Sequence, residues 1–313
     1  MAQRAPFRGP WRCGFPPRPA QWETAICPSA APARRNTESR AALGDERVPA
    51  GIDPTKAHPS RRYNYWLGGK DNFAVDRESA EVVASAFPTV RLAAVENRAF
   101  LKRVVTYLAG EAGIHQFFDI GTGLPSAGNV HEIAQSIEPT SRIVYVDNDP
   151  VVLVHARALL NSAPTGRTAY IEADLRDPEA ILASPALAGT LDMTRPMALM
   201  LVATMHFVTD DHDPYGIVSR LLSVLPSGSH LVMTHATGDY LTAEEYAENE
   251  AANERSGVPF RLRSRDEFAR FFDGLELLPP GVGSVVEWRS DVPPADRPRI
   301  EDVSMLCAVA RVP

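Results

Sequence analysis

Three short apolar runs in this sequence each end in an acid. The first, residues 115–120, contains Asp119 and leads into Gly121-Thr-Gly123. The second, residues 142–146, is followed by Asp147, and the third, residues 168–173, by Asp174. Glycines after a strand let the chain turn sharply and bring backbone N–H groups against a ligand. A carboxylate at Asp147, 24 residues after Gly123, is placed to accept both hydroxyls of a ribose. Together these features point to an adenosine-containing cofactor.

Two such cofactors compete. A dinucleotide requires a third glycine for close helix packing beside its pyrophosphate. Ser126 stands at that place, with Gly128 nearby. Asp119, two residues before the first glycine, would repel a pyrophosphate. It suits the ammonium and sulfonium charges of S-adenosyl-L-methionine, and Asp174 adds an acceptor for an adenine amino group. An NAD(P)-linked oxidoreductase stays open as the alternative, as does a binding protein without catalysis.

The elements that position these residues alternate regularly. Strands at 115–120, 142–146, 168–173, 197–203 and 229–235 are separated by helices. Asp149-Pro150, Asp177-Pro178 and Asp213-Pro214 each open one of those helices. Asp accepts from the free first-turn N–H groups, and Pro loses nothing at the first helical position. Continuous apolar strands alternating with helices mean a parallel sheet covered on both faces. Such sheets bind ligands at the carboxyl ends of their strands. Near the end of the chain, residues 275–278 and 303–309 read as an antiparallel pair at the sheet edge.

Composition sets the limits. The chain has 313 residues, 44% hydrophobic and 23% charged, the proportions of a globular protein. Residues 1–50 hold eight prolines, and eight arginines against four acids. They read as a disordered tail of charge +4, which leaves −11 of the net −7 for residues 51–313. An acidic body argues against a nucleic-acid partner. The longest uncharged apolar run, 197–205, is too short to span a bilayer. Cys13, Cys27 and Cys307 make neither a disulfide framework nor a zinc pair, so a reducing cytoplasm is expected. The folded part divides into a helical segment (51–113), a cofactor-binding core (114–236) and substrate-side helices and edge strands (237–313).

The segments Phe117-Phe-Asp-Ile-Gly-Thr-Gly-Leu-Pro125, Val144-Tyr-Val-Asp-Asn-Asp-Pro150 and Glu172-Ala-Asp-Leu-Arg-Asp-Pro178 resemble class I S-adenosylmethionine-dependent methyltransferases. With residues 63–73 and Glu96-Asn-Arg-Ala-Phe100, the chain is most similar to the bacterial S-adenosyl methyltransferase family formerly carried as a domain of unknown function. The resemblance covers about Ile52 to Val312. It implies a Rossmann-like α/β fold, with a mostly parallel seven-stranded sheet, an antiparallel edge strand and an added N-terminal helical segment. It implies that Asp119, Gly121, Gly123, Asp147, Asn148, Asp174 and Leu175 hold the cofactor, with Lys70 or Arg98 pairing its carboxylate. Pro125 and Asn148 depart from the general pattern, at a third glycine and at an apolar adenine contact.

Methyl transfer from a sulfonium is an in-line displacement that needs alignment. It needs a base only when the acceptor must lose a proton. Thr204-Met205-His206-Phe207 follow the fourth strand, where the transferred methyl lies in this fold. There is no Asn/Asp-Pro-Pro-aromatic motif, so a small-molecule acceptor is expected. His206 is the candidate general base, with Asp210 or Asp211 as a partner that would raise its pKa. His235, at the end of the fifth strand, reads as structural or as a pocket wall. Tyr63, Trp66, Lys70 and Asn72 form a candidate cover over the cofactor. Residues 240–260 and 281–288 are expected to line the acceptor pocket.

Overall fold

The structure is a computed structural model that describes residues 52–159 and 164–313. The expected disordered tail, with Cys13 and Cys27, lies outside the described residues. Three helices come first: α1 (Pro59–Trp66), α2 (Ala74–Ala86) and α3 (Val90–Gly110). The alternating core follows with β1 (Gln116–Ile120), α4 (Val130–Ile137), β2 (Arg142–Asp147), α5 (Pro150–Leu159) and β3 (Arg167–Glu172). It continues through α6 (Pro178–Leu182), α7 (Pro185–Thr190), β4 (Ala198–Leu201), α8 (Pro214–Leu222) and β5 (His230–Ala236). The last part holds α9 (Ala243–Arg255), α10 (Arg265–Ala269), β6 (Glu276–Leu277), β7 (Gly283–Ser284), α11 (Ile300–Val303) and β8 (Met305–Arg311).

The strands join in the order β3-β2-β1-β4-β5-β8-β6. β1 to β5 pair in parallel, and β8 runs antiparallel to β5. The mostly parallel Rossmann-like sheet with an antiparallel edge is thus observed. Its outer edge differs from a seven-stranded count, because two two-residue strands, β6 and β7, share β8. Pro279 and Pro280 lie between them. Neither has an N–H to give, so the ladder cannot run unbroken along β8.

Successive side chains alternate between two cores with the period of two of a strand, and both faces are buried. Phe118, Ile120, Val144, Val146, Leu199 and Leu201 face one core, filled by Ile181, Leu187, Ile217, Leu221, Phe268 and Phe271. Phe117, Ile143, Tyr145, Ala198 and Met200 face the other, filled by Phe100, Val104, Val105, Leu108, Ile133 and Trp288. Trp288 is wholly buried, edge-on to Phe100 and Tyr107. Arg103 of α3 fixes that segment by donating to the carbonyls of Trp288 (3.0 Å) and Val285 (2.5 Å).

All three Asp-Pro pairs open helices. Asp149 accepts from Val151 N at 3.0 Å, Asp177 from Ala180 N at 3.1 Å and Asp213 from Gly216 N at 3.0 Å. Among the described residues no helix is long and apolar enough to cross a membrane.

The strand order reverses between β1 and β4, so a crevice opens at the carboxyl ends of β1, β2 and β4. In register, Ile120 lies beside Val146, and Asp147 beside Glu172. That brings Asp119, Asp147 and the loop carrying Asp174 to one rim of the sheet.

Candidate active site

A cleft of about 310 Å³ occupies this rim. Asp119, Gly121, Gly123, Asp147, Asn148, Asp174, Leu175 and Arg98 all line it. Lys70 does not. Its side chain is solvent-exposed and lines neither this cleft nor the second cavity described below. The turn at Gly68-Gly69 carries it outward, and the arginines that line the cleft are Arg98, on the long helix α3, and Arg176.

Gly121 is required twice over. Its φ is +75°, and a Cβ there would stand 2.5 Å from Thr204 Oγ1 and Cγ2. Gly123 also has positive φ (+69°), and its N–H donates to Asp147 Oδ2 at 2.8 Å. Asp147 Oδ1 accepts from Asp149 N at 2.9 Å. Each carboxylate oxygen keeps a second lone pair for a ligand hydroxyl. Burial raises the Asp147 pKa, against the pull of His58 and of the two backbone N–H groups.

Asp119 is buried, and its carboxylate accepts no hydrogen bond among the described residues. Burial pushes its pKa up to about 7, Arg98 opposes this, and Asp147 adds to it. A buried, unpartnered carboxylate on the wall of a cleft fits a cationic ligand. Arg98 itself donates to the carbonyls of Ala127 (3.2 Å) and Gly128 (3.0 Å), tying α3 to the end of the glycine turn.

Asp174 is not the free acceptor the sequence suggests. Arg176 grips it through Nε (2.9 Å) and Nη2 (2.5 Å), and Asn148 donates to it at 3.1 Å. Burial would raise its pKa, but these bonds win and hold it at about 2. Asn148 also lies 3.2 Å from His58 Nε2.

The N-terminal helices complete the cleft, a role their sequence only hinted at. Asp149 Oδ2 receives Ser60 Oγ at 2.8 Å and lies 3.2 Å from both His58 Nδ1 and Arg61 Nε. Arg61 also lies 3.5 Å from Asp76, which accepts the N–H groups of His58 (2.9 Å) and Phe73 (2.8 Å). These arginine contacts are ion pairs by proximity, since Arg61 Nε and Nη1 make no aligned hydrogen bond. His58, Pro59 and Ser60 therefore wall one side of the cleft. Nothing in the composition of residues 51–113 signals this, because it depends on partners about 90 residues away.

A second, smaller cavity of about 80 Å³ adjoins the cleft, and Tyr63, Ala203 and Phe207 line both. Ala203 has φ +56° and donates to Thr234 Oγ1 at 2.8 Å. A left-handed alanine is strained, and this one sits where the cavities meet. Tyr63 donates to Ala94 O at 3.0 Å and accepts from Asn97 at 2.9 Å. Burial raises its pKa to about 12, against the Asn97 bond, so it stays a phenol. Trp66 lines the second cavity, whereas Asn72 is spent on Asn64 and Gly69.

Leu241, Asn249, Asn253 and Phe260 line the second cavity, as expected of residues 240–260. Residues 281–288 do not, because Arg103 and the core hold them under α3. Val83 of α2 and Phe87 just after it, Val90 and Ala93 of α3, and residues 303–305 line it instead.

His206 lines the second cavity, but its surroundings reverse the expected basicity. Asp210 pairs with Arg263 (2.6 Å) and Arg261 (3.3 Å), and Asp211 with Thr209 and His212. Neither partners His206. Its ring packs on Phe207, Phe260 and His235. Burial holds its pKa well below the usual imidazole range, helped by His235, Arg62 and Arg263. Ala236 N donates to Nδ1 at 3.4 Å, which leaves the proton of the neutral ring on Nε2. His235 lines neither cavity and is held between Arg263 (2.9 Å) and Ala236 O (2.7 Å).

Comparison with known proteins gives the family. Residues 45–313 match the family described as S-adenosyl methyltransferase. A DUF574 family protein from Streptomyces avermitilis is 48% identical, with 82% of this chain and 98% of that one aligned and a TM-score of 0.79. A protein from Thermobifida fusca described as a methyltransferase is 38% identical, over 85% of this chain and 99% of that one, with a TM-score of 0.77. No curated protein sequence matches. The glycine turn, the unpartnered Asp119 and the family match lead to one conclusion: the chain belongs to the S-adenosyl methyltransferase family and takes its methyl group from S-adenosylmethionine.

Proposed function

We propose that the acceptor is a small molecule, bound in the second cavity and methylated where the two cavities meet at Tyr63, Ala203 and Phe207. That junction is the observation that carries the reading. The cofactor fits the larger cleft. Asp147 takes the ribose hydroxyls, Asp119 faces the cationic methionine end, and Arg98 takes its carboxylate. Asn148 and Leu175 border the adenine, and Asp174 keeps its charge beside Arg176. The cofactor supplies an electrophilic methyl group. The protein supplies alignment, a second cavity walled largely by apolar and aromatic side chains, and a carboxylate near the positive charge. His206 stays neutral and offers its Nε2–H to the acceptor as a hydrogen-bond donor. A nucleophile already unprotonated at neutral pH suits such a site.

The test is to incubate the protein with S-adenosylmethionine and fractionated small-molecule extract and follow S-adenosylhomocysteine by mass spectrometry. A fraction below about 1 kDa should release it in proportion to enzyme. Release that depends only on nucleic acid or protein would refute the small-molecule reading. Cofactor binding without release on any fraction would make the chain a silent binder.

A further inference from the structure

Arg62 lines the second cavity and is 1% exposed. Its Nη1 donates to two neutral hydroxyls, Ser256 at 3.0 Å and Ser79 at 3.4 Å. Nε is buried and donates to nothing, and Nη2 has no partner among the described residues. The guanidinium lies over Trp66 and Phe207, 5.5 and 5.8 Å from their ring centroids. The carboxylate whose field it feels is Asp76, already engaged by Arg61 and two backbone N–H groups.

The contrast with the neighbouring buried arginines is sharp. Arg61 has Asp149 and Asp76, and Arg263 has Asp210. Arg62 alone of the three has no carboxylate within ion-pair reach among the described residues. A buried charge without a counter-ion is costly, and proteins keep one where a ligand supplies the partner. Burial lowers the Arg62 pKa to about 10, partly offset by Asp76, so the group is still charged at neutral pH.

We infer that the acceptor is an apolar molecule bearing one carboxylate, and that Arg62 receives this carboxylate. This deepens, and rests on, the reading of the second cavity as the acceptor site. One guanidinium balances one negative charge, and its planar fork matches a carboxylate in two-point contact. The other polar side chains of the wall, Tyr63, His206, Thr237, Asn249, Asn253 and Ser304, are neutral and offer nothing to balance a second charge. Trp66, Phe87, Phe207 and Phe260 supply walls for an apolar body. About 80 Å³ accommodates the carboxylate and the carbons next to it, with the rest of the molecule continuing toward the cleft.

The test is calorimetric, on the full chain with and without S-adenosylhomocysteine. The probes are benzoate, phenylacetate and hexanoate, each beside its neutral carboxamide. At least one carboxylate should bind in the millimolar range or better and exceed its carboxamide by tenfold or more. Arg62→Met should remove that preference, whereas Arg62→Lys should retain part of it. Carboxylates and carboxamides binding alike, or no carboxylate binding while S-adenosylhomocysteine does, would overturn the inference and leave the methyltransferase reading intact. Failure of S-adenosylhomocysteine to bind would count against the cofactor cleft, and the carboxylate comparison on the ligand-free protein would still decide the role of Arg62. That comparison needs no variant to fold.

Discussion

Ser60 donates its hydroxyl to Asp149 at 2.8 Å across 89 residues of sequence. The bond joins α1 to the first turn of α5. Asp149 thus has two roles. One oxygen caps its own helix through Val151 N, and the other anchors the N-terminal helices over the cofactor cleft. Its backbone N–H meanwhile steadies Asp147.

Asp119 should make cofactor binding pH-dependent. Its pKa is raised to about 7, chiefly by burial. A cationic ligand favours the ionised carboxylate, so binding below pH 7 must expel a proton. Affinity for S-adenosylmethionine should fall toward tenfold per unit below that point and level off above it. Asp119→Asn should abolish this pH dependence while weakening binding. In the ligand-free protein the sign reverses. A carboxyl whose pKa is raised on folding stabilises when protonated, and that stabilisation is lost between about pH 4 and pH 7. Asp119→Asn should therefore raise the melting temperature at pH 8. Titrations and melting curves at pH 6 and 8 check both halves, and a pH-independent wild-type affinity would refute the assignment.

Gly121→Ala should disrupt the glycine turn. The new methyl group would meet Thr204 and force a left-handed alanine, at a cost of about 1–3 kcal/mol. Gly189, with open space and no positive φ, is the control position. The measurement is the denaturation midpoint of both variants, together with S-adenosylmethionine affinity. Equal loss in both would remove the special status of the turn.

The ion pair beneath α1 should be structural. Arg61→Met leaves Asp149 and Asp76 buried with fewer partners, a change worth about 3–5 kcal/mol. Urea unfolding should show that loss, with weakened cofactor affinity because His58, Pro59 and Ser60 shift. Unaltered stability would mean that the remaining backbone N–H groups suffice for both carboxylates.

How much of this was legible follows from range. The acids at the ends of β1 and β2 and the three Asp-Pro caps are local signals, set by strand ends and first-turn N–H groups. They stand where the sequence put them. Asp174 and His206 depend on side-chain placement that residue type does not show: a local arginine two positions on folds back onto the first, and distant elements close around the second. Arg176 occupies the first, and α1 and β5 surround the second. Arg61 and Arg62 are adjacent in the sequence but part company in space. On a helix, adjacent residues point about 100° apart, and here both faces are buried. One arginine meets Asp149 and the other the second cavity. Lys70 failed because a turn carries it outward.

His206→Asn should tell alignment from base catalysis. A general base is worth roughly two to four orders of magnitude in turnover. A neutral donor is worth about 1 kcal/mol, or some fivefold. With imidazole basicity held well below the usual range by burial, the smaller loss is expected. Turnover at saturating cofactor should show no inflection near pH 6.5 attributable to this residue. A drop of a hundredfold or more in the variant, with cofactor affinity unchanged, would restore the base.

The anchoring of α1 bears on exchange kinetics. Pro59 and Ser60 wall the cleft, and their hold on Asp149 lies on the same β2–α5 turn that carries Asp147. A departing S-adenosylhomocysteine that needs this wall to swing must first break contacts that also stabilise the fold. Residence time and thermal resistance are then set by one group of bonds. Substitutions that tighten this corner will slow product escape, and those that loosen it will speed escape in a less durable protein.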